Sequence, residues 1–141
     1  STQIEALAER QQVSVCWRPF LIGATFKVTG RKAPIEHPLL RDYMLHDVQR
    51  YARLLGQPLT FPVRFPILGV KPSRLFYYLQ QRDGDQLAAK RFASAVFTAY
   101  FVERQDITQN TVLAALAEPF GLDASETAAI VVSAAMKAHF K

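Results

Sequence analysis

The sequence predicts a mostly α-helical protein with one β-strand, and three observations lead to this fold class. Apolar residues recur at helical spacing over most of the 141 residues, between glycine, proline and helix-capping residues. Alternation typical of a strand occurs only once, over residues 13–18. Residues 59–72 contain three prolines, which is too many for a helix and predicts an extended surface loop.

Capping and breaking residues give the helix boundaries. Thr2 with Glu5, and Asp123 with Glu126, have the spacing of a capping box, so a helix is expected to begin at each place. Glycines such as Gly30 are expected to end helices because they tolerate a left-handed backbone. The predicted helices cover residues 2–11, 20–30, 38–55, 72–82 and 85–104, then 108 to about 120, and finally 123–138.

The predicted strand has no partner elsewhere in the sequence. Val13, Val15 and Trp17 fall on one face of it, and Pro19 ends it. A lone strand leaves its backbone N–H and C=O groups without partners. We therefore expect it to pair with a second copy of the chain or with a segment outside these 141 residues.

The composition is that of an ordinary globular protein and argues against several classes of function. The formal net charge is +5, but Lys and Arg are spread along the chain without the interleaved aromatics of a nucleic-acid-binding tract. No apolar run approaches the roughly 20 residues of a membrane span. No signal peptide or membrane anchor is recognisable, so the expected location is cytoplasmic, with no nucleic-acid or membrane partner.

Cysteine and histidine are too scarce for redox or metal chemistry. Cys16 is the only cysteine, which excludes an internal disulfide and a Cys-x-x-Cys pair. His37, His46 and His139 are scattered and lack partners at ligand spacing, so no metal site is predicted. No serine has a Gly-rich elbow or an obvious base beside it, so no catalytic residue is assigned.

The stretch from Trp17 to Lys27, WRPFLIGATFK, resembles the 2-hydroxychromene-2-carboxylate isomerases, which are similar to kappa-class glutathione transferases and to DsbA-type disulfide oxidoreductases. The resemblance covers essentially all 141 residues. The further matches follow in the same order along the chain: Gly30 with Pro34 and Pro38, Tyr43-Met44 with Asp47, Arg50-Tyr51-Ala52, Gly56 with Pro58, Phe61-Pro62, and residues 103–108.

The fold implied by the resemblance is the helical insertion domain of a thioredoxin fold of the DsbA and kappa glutathione transferase type. Residues 1–19 would be a remnant of the thioredoxin-like domain, and residues 20–141 the helical insertion, packed as one unit. In the family, a Ser-Pro-aromatic-Ser motif comes before the position of Ser1, and a cis-proline loop comes after that of Lys141. We therefore expect an inactive fragment without the catalytic serine.

The activity implied by the resemblance is a glutathione-dependent isomerisation or transfer on small aromatic compounds. In the family the serine hydroxyl favours the glutathione thiolate, which adds to a carbon of the substrate. Two family positions for glutathione or substrate are substituted here: Arg31 stands where Asn is usual, and Leu40 where Lys is usual. Glutathione and a small aromatic substrate are the expected partners, and a homodimer is left open.

The apolar wall of the substrate site is expected in the proline-rich loop, at Phe61 and Pro62 and at the neighbouring Phe65-Pro66, because this loop lies beside the cleft in the family. The aromatic side chains of the longest predicted helices are instead expected in the core; they are Phe92, Phe97, Tyr100 and Phe101.

Two other functions stay open. The chain could be a non-catalytic helical module that binds a partner through the exposed edge of its strand. It could also belong to a thiol–disulfide oxidoreductase, an alternative that the lack of a Cys-x-x-Cys pair disfavours.

Overall fold

The computed structural model describes residues 3–138 and confirms the mostly α-helical class. Within this range two 3₁₀ turns, Pro34–Glu36 and Glu118–Phe120, accompany the α-helices. The α-helices are α1 (Ile4–Gln11), α2 (Ile22–Thr29), α3 (Pro38–Leu54), α4 (Val70–Asp83), α5 (Leu87–Phe101), α6 (Asn110–Ala117), α7 (Ala124–Val132) and α8 (Ala134–Ala138).

The capping box predicted for the last helices is confirmed. The carboxylate of Asp123 accepts from the backbone N–H of Glu126 at 2.8 Å, and the Glu126 carboxylate accepts from the Asp123 N–H at 2.9 Å. The other predicted box begins at Thr2 and lies outside the described residues. Gly30 ends α2 with φ of 65°, a backbone conformation that glycine adopts without steric cost.

The last predicted helix is divided into α7 and α8 at Ser133. In one continuous helix the carbonyl of Val131 would accept from the backbone N–H four residues later. Here the Arg74 guanidinium of α4 donates to that carbonyl instead. A side chain from another helix thus competes for the hydrogen bond that would have continued α7, which the local sequence pattern does not reveal.

Helices α4 to α8, here called the bundle, contain most of the buried side chains among residues 3–138. α4 packs against α5 and α7, and α6 packs against the same two helices. The large apolar side chains of these helices in their shared interior that are at most 2% exposed are Leu75, Leu79, Phe92, Leu113 and Val131. The bundle therefore has one continuous apolar core.

Residues 20–57, here called the arm, contain α2, the first 3₁₀ turn and α3. Neither α2 nor α3 has a buried residue. α3 packs chiefly against the 3₁₀ turn that precedes it. The arm is thus held beside the bundle without contributing a core of its own. The domain boundary predicted between residues 19 and 20 remains a prediction.

The strand predicted over residues 13–18 is not formed. These residues have neither helical nor strand structure, and no part of residues 3–138 runs beside them as a second strand. Within the described chain, the backbone of residues 14–20 makes no hydrogen bond with other backbone groups. The alternating pattern is present, but a strand also needs a neighbour, and none is available here.

None of the helices within residues 3–138 combines the length and apolar character needed to cross a bilayer.

Candidate functional site

A cleft of about 1290 Å³ separates the start of the arm from the bundle. Residues between 17 and 36 line it on one side and residues of α4 and α5 on the other, and residues 65–69 also contribute to its surface. Pockets for single small molecules usually measure about 300–1000 Å³, so this cleft has room for more than one such ligand. A second cavity of about 120 Å³, beside Asp106, is too small for such a role.

The cleft is lined mainly by apolar and aromatic side chains. Nine aromatic residues contribute to its surface: Trp17, Phe20, Phe26, Phe65, Phe76, Phe92, Phe97, Tyr100 and Phe101. Four of them, Phe92, Phe97, Tyr100 and Phe101, lie on α5, where Phe97 is 44% exposed. A surface of this kind suits planar apolar ligands.

The aromatic residues of α5 correct the sequence-based expectation in part. Phe92 and Tyr100 are buried, as expected for core residues, yet both also form the floor of the cleft. Phe97 and Phe101 are only partly covered and line the cleft as well. Helical periodicity shows which side of α5 is apolar. It does not show that residues 17–36 lie at a distance from this side and leave a cleft between them.

Three cations and a single carboxylate line the cleft. Arg18, Lys27 and Arg31 come from the arm side, together with Glu36. Within residues 3–138 none of these three cations makes a side-chain hydrogen bond or ion pair. The local positive charge is therefore available to an anionic ligand.

Of the four site residues predicted from the sequence, only Arg31 lines the cleft. Arg31 lines the cleft, whereas Leu40 lies on α3, is 48% exposed and does not line it. Phe61 packs edge-to-face against Phe65, with ring centroids 5.5 Å apart, and Phe65 is the residue that faces the cleft. Pro62 is buried and lines the smaller cavity. The roles proposed for these residues in ligand binding remain predictions.

The end of the cleft nearest α1 is formed by Trp17, which a network of side chains holds. The backbone N–H of Trp17 donates to Gln86 Oε1 at 2.8 Å, and the Trp17 carbonyl accepts from Gln86 Nε2 at 2.8 Å. Lys90 Nζ donates to the Val15 carbonyl at 2.8 Å. The Trp17 indole N–H donates to Glu5 at 2.6 Å, and Glu5 also pairs with Lys90.

Sequence reasoning missed Gln86 and Lys90, and no local signal could have identified them. Their partners lie 69 and 75 residues away along the chain. A spacing of four residues between a glutamine and a lysine is common on helix surfaces. Only the tertiary structure shows that both side chains reach the same backbone segment.

The carboxylate of Asp106 holds the loop that carries Ile107, one of the residues that line the cleft. It accepts from the Thr108 hydroxyl at 2.6 Å, from the Thr108 backbone N–H at 3.0 Å and from the Gln109 amide at 3.2 Å. These hydrogen bonds, with a smaller contribution from Arg64, lower the pKa of Asp106 from 3.8 to about 2. Arg64 is thereby linked to the loop that carries Ile107, one of the cleft residues.

The family model of the DsbA-like thioredoxin domain matches residues 1–141 of this chain. The chain belongs to this family. Among solved structures, 2-hydroxychromene-2-carboxylate isomerase has the same fold, with a TM-score of 0.82 and 22% sequence identity. The match covers 98% of this chain and 66% of the isomerase, so the chain spans less than two thirds of that protein's length. No curated protein matches the chain.

These matches confirm the DsbA-like fold that the resemblance implied. The hydroxyls that line the cleft of this DsbA-like chain are both engaged as donors: Ser73 donates to the Gly69 carbonyl at 2.6 Å, and Tyr100 to the Arg64 carbonyl at 2.8 Å. Burial raises the pKa of Tyr100, which keeps its phenol protonated. The described part of the cleft therefore offers binding groups, and no hydroxyl stands free to act as a nucleophile.

Cysteine and the other metal-ligating residue types are not gathered at the cleft within the described residues. Cys16 is exposed and is not among the residues that line the cleft. Within residues 3–138 no three His, Cys, Asp or Glu side chains come together in a group that could hold a metal ion.

Proposed function

We propose that this chain provides the substrate cleft of a glutathione-dependent isomerase or transferase that acts on small aromatic compounds. The observation that carries the proposal is the cleft itself, where nine aromatic side chains and three cations without a partner among residues 3–138 line one volume of about 1290 Å³. The fold shared with 2-hydroxychromene-2-carboxylate isomerase supports the same assignment.

The groups of the cleft fit the two ligands that this reaction requires. Glutathione carries two carboxylates and one ammonium group, which the three cations and Glu36 complement in charge. The aromatic floor on α5 fits the ring of a small substrate. The volume exceeds what one ligand usually fills, which is consistent with two molecules bound side by side.

Within this scheme the described residues bind and orient, and they do not activate the thiol. When bound, glutathione supplies the sulfur whose thiolate attacks the substrate. Both hydroxyls that line the cleft already donate to backbone carbonyls. The role of the described residues is to hold a carboxylate of glutathione near Arg31 and to bury the aromatic ring against α5.

Calorimetry with glutathione and with S-benzylglutathione tests this proposal. We expect the benzyl conjugate to bind more tightly because its ring adds apolar contact. Arg31→Met should weaken both ligands by roughly 10-fold or more, since a charge-assisted hydrogen bond contributes about 1.5–3 kcal/mol. Arg53→Met is the matched control, because Arg53 is exposed on α3 and does not line the cleft. Equal binding by wild type and Arg31→Met would contradict the proposal.

A second candidate function is a non-catalytic module that binds another protein, and the arm is the observation that favours it. α2 and α3 bury no residue and leave large apolar side chains exposed, among them Phe20, Val28, Leu39, Tyr43 and Leu54. Exposed apolar patches of this kind often mark interaction surfaces. This alternative predicts association through the arm without any dependence on glutathione, so the calorimetric experiment separates the two functions.

A further inference from the structure

We propose that Gln86 and Lys90 are positioning residues that fix the Trp17 end of the cleft by standing in for a neighbouring β-strand. The inference concerns this wall of the cleft and holds whether or not glutathione binds there. Three features carry it: the paired hydrogen bonds of Gln86, the match between helical and extended spacing, and the orientation of the Gln86 amide.

The Gln86 side chain makes the two hydrogen bonds that a residue on an adjacent strand would make. In an antiparallel sheet, a hydrogen-bonded pair exchanges one N–H···O bond in each direction. The primary amide of Gln86 does the same with Trp17, because it accepts from the Trp17 N–H and donates to the Trp17 carbonyl, each at 2.8 Å. The side-chain amide therefore replaces a peptide group.

The spacing between Gln86, the residue directly before α5, and Lys90 on α5 matches the repeat of an extended segment. Gln86 and Lys90 are four residues apart, which is a rise of about 6 Å along a helix. Val15 and Trp17 are two residues apart, which is about 6.6 Å along a strand. Carbonyls two residues apart point to the same edge of a strand. Lys90 can therefore donate a hydrogen bond to the Val15 carbonyl at 2.8 Å while Gln86 donates to the Trp17 carbonyl.

The amide of Gln86 has only one orientation that satisfies its partners. Its oxygen faces the Trp17 N–H, a donor, and its nitrogen faces two acceptors, the Trp17 carbonyl at 2.8 Å and Gln80 Oε1 at 3.2 Å. Reversing the amide would place donor against donor and acceptor against acceptor. Gln80 of α4 thus holds Gln86 ready for the segment that it binds.

This arrangement supplies the hydrogen bonds between the wall and the bundle, in addition to the packing of the Trp17 side chain against the core. No backbone–backbone hydrogen bond within the described chain involves residues 14–20, and Trp17 lines the cleft. Two net hydrogen bonds favour the held arrangement over a released one by roughly 30-fold. Loss of the Gln86 contacts should therefore release Trp17 from its place while the bundle stays folded.

The variant Gln86→Glu tests whether the side-chain amide of Gln86 acts in place of the peptide group of a neighbouring strand. In Gln86→Glu the new side chain keeps the shape of the amide, but its carboxylate meets two acceptors at neutral pH. We expect the wall to be released at pH 7.5 and to return at pH 4, because the protonated carboxyl can again donate to the Trp17 carbonyl. Gln49→Glu, on the exposed face of α3, makes the same change of charge without these contacts.

Trp17 is the only tryptophan, so its fluorescence reports on the wall alone. At pH 7.5 we expect a red shift of the emission and stronger quenching by acrylamide in Gln86→Glu, with both reversed at pH 4. Wild type and Gln49→Glu, measured at both pH values, should not show this reversal. Gln86→Met removes both hydrogen bonds without adding charge, and it should show the red shift at both pH values.

Helix content from circular dichroism identifies a variant that fails to fold, and Gln86→Met then decides the test. Wild-type emission and quenching in a folded Gln86→Glu or Gln86→Met at pH 7.5 would overturn the proposal. A red shift in Gln86→Glu that persists at pH 4 would overturn it too. Binding of 8-anilinonaphthalene-1-sulfonate is followed separately by the emission of the dye. Its absence in wild type would count against an aromatic-binding cleft and would leave the Trp17 result unaffected.

Discussion

The bundle and the arm are built from the same kind of amphipathic helix, yet only the bundle buries its apolar face. In the bundle, Leu75, Leu79 and Leu113 are fully buried. In the arm, Leu40 is 48% exposed and Tyr43 is 70% exposed, although both belong to an apolar stripe with helical spacing. Periodicity thus predicts that a helix forms and which side is apolar. It does not tell what covers that side.

The difference has a consequence for stability. A helix with an uncovered apolar face gains little from burial, and most helical stability in proteins comes from such packing. The bundle gains from a shared core, so we expect unfolding of the whole chain to be governed by contacts within α4 to α8. The arm is expected to gain stability only when something covers it.

The largest effect is expected from shortening leucines in the two regions. Leu113→Ala removes a fully buried side chain of α6 and should lower the free energy of unfolding by about 2–5 kcal/mol. Leu39→Ala removes an 83% exposed side chain of α3, and its effect should stay within about 0.5 kcal/mol. Urea denaturation followed by circular dichroism measures both. Equal losses would mean that the Leu39 side chain is covered in the folded protein, which contradicts an exposed arm.

The sequence was sufficient where local chemistry decides the structure. The capping box at Asp123 and Glu126 and the end of α2 at Gly30 depend on residues only a few positions apart, and both were predicted. The cleft could not be predicted, because it arises where residues 17–36 stand away from α5. The strand itself was predicted from alternation alone and is not formed, because a strand also needs a neighbour; that no partner exists within the chain was predicted, and pairing with another copy stays a prediction.

A smaller, pH-dependent effect on the urea midpoint should distinguish the carboxylate of Asp106, in the loop between α5 and α6, from that of Asp47 in the arm. The pKa of Asp106 is lowered from 3.8 to about 2, first by the Thr108 hydroxyl and then by the Thr108 N–H and Gln109. Because the folded pKa lies below the unfolded one, the stabilisation is complete above about pH 4 and is lost as the pH falls toward 2. Asp106→Asn should therefore lower the urea midpoint at pH 7, with a difference from wild type that shrinks at low pH.

The matched variant in the arm is Asp47→Asn. Asp47 pairs with Arg50 at 2.7 Å, three residues along the exposed surface of α3. Surface pairs of this kind contribute little to stability. We expect no change of the urea midpoint at pH 7, and a loss as large as that of Asp106→Asn would show that the arm contributes to the stability of the whole chain.

The smallest expected effect is on the hydrogen-exchange rates of single backbone amides in residues 13–18, the segment that contacts the bundle without pairing as a strand. Successive amides of an extended segment point to opposite edges. The edge with Trp17 faces α5, where Gln86 accepts its N–H. One hydrogen bond is worth about 1 kcal/mol, so the Trp17 amide should exchange with solvent roughly fivefold more slowly than an unprotected amide. Hydrogen exchange read by NMR should show this slowing at every protein concentration.

The Cys16 amide lies on the opposite edge, and it reports on whether another strand pairs there. No residue of the described chain accepts its N–H, so it should exchange quickly in dilute solution. If a second copy of the chain pairs with this edge, exchange at Cys16 slows as the concentration rises, while exchange at Trp17 does not change. We expect this concentration dependence because a free edge with unsatisfied backbone groups favours strand addition.

Rapid exchange of Cys16 at all concentrations would contradict pairing between copies, and rapid exchange of Trp17 would contradict the role of Gln86. The two amides therefore separate the edge that α5 satisfies from the edge that a partner must satisfy.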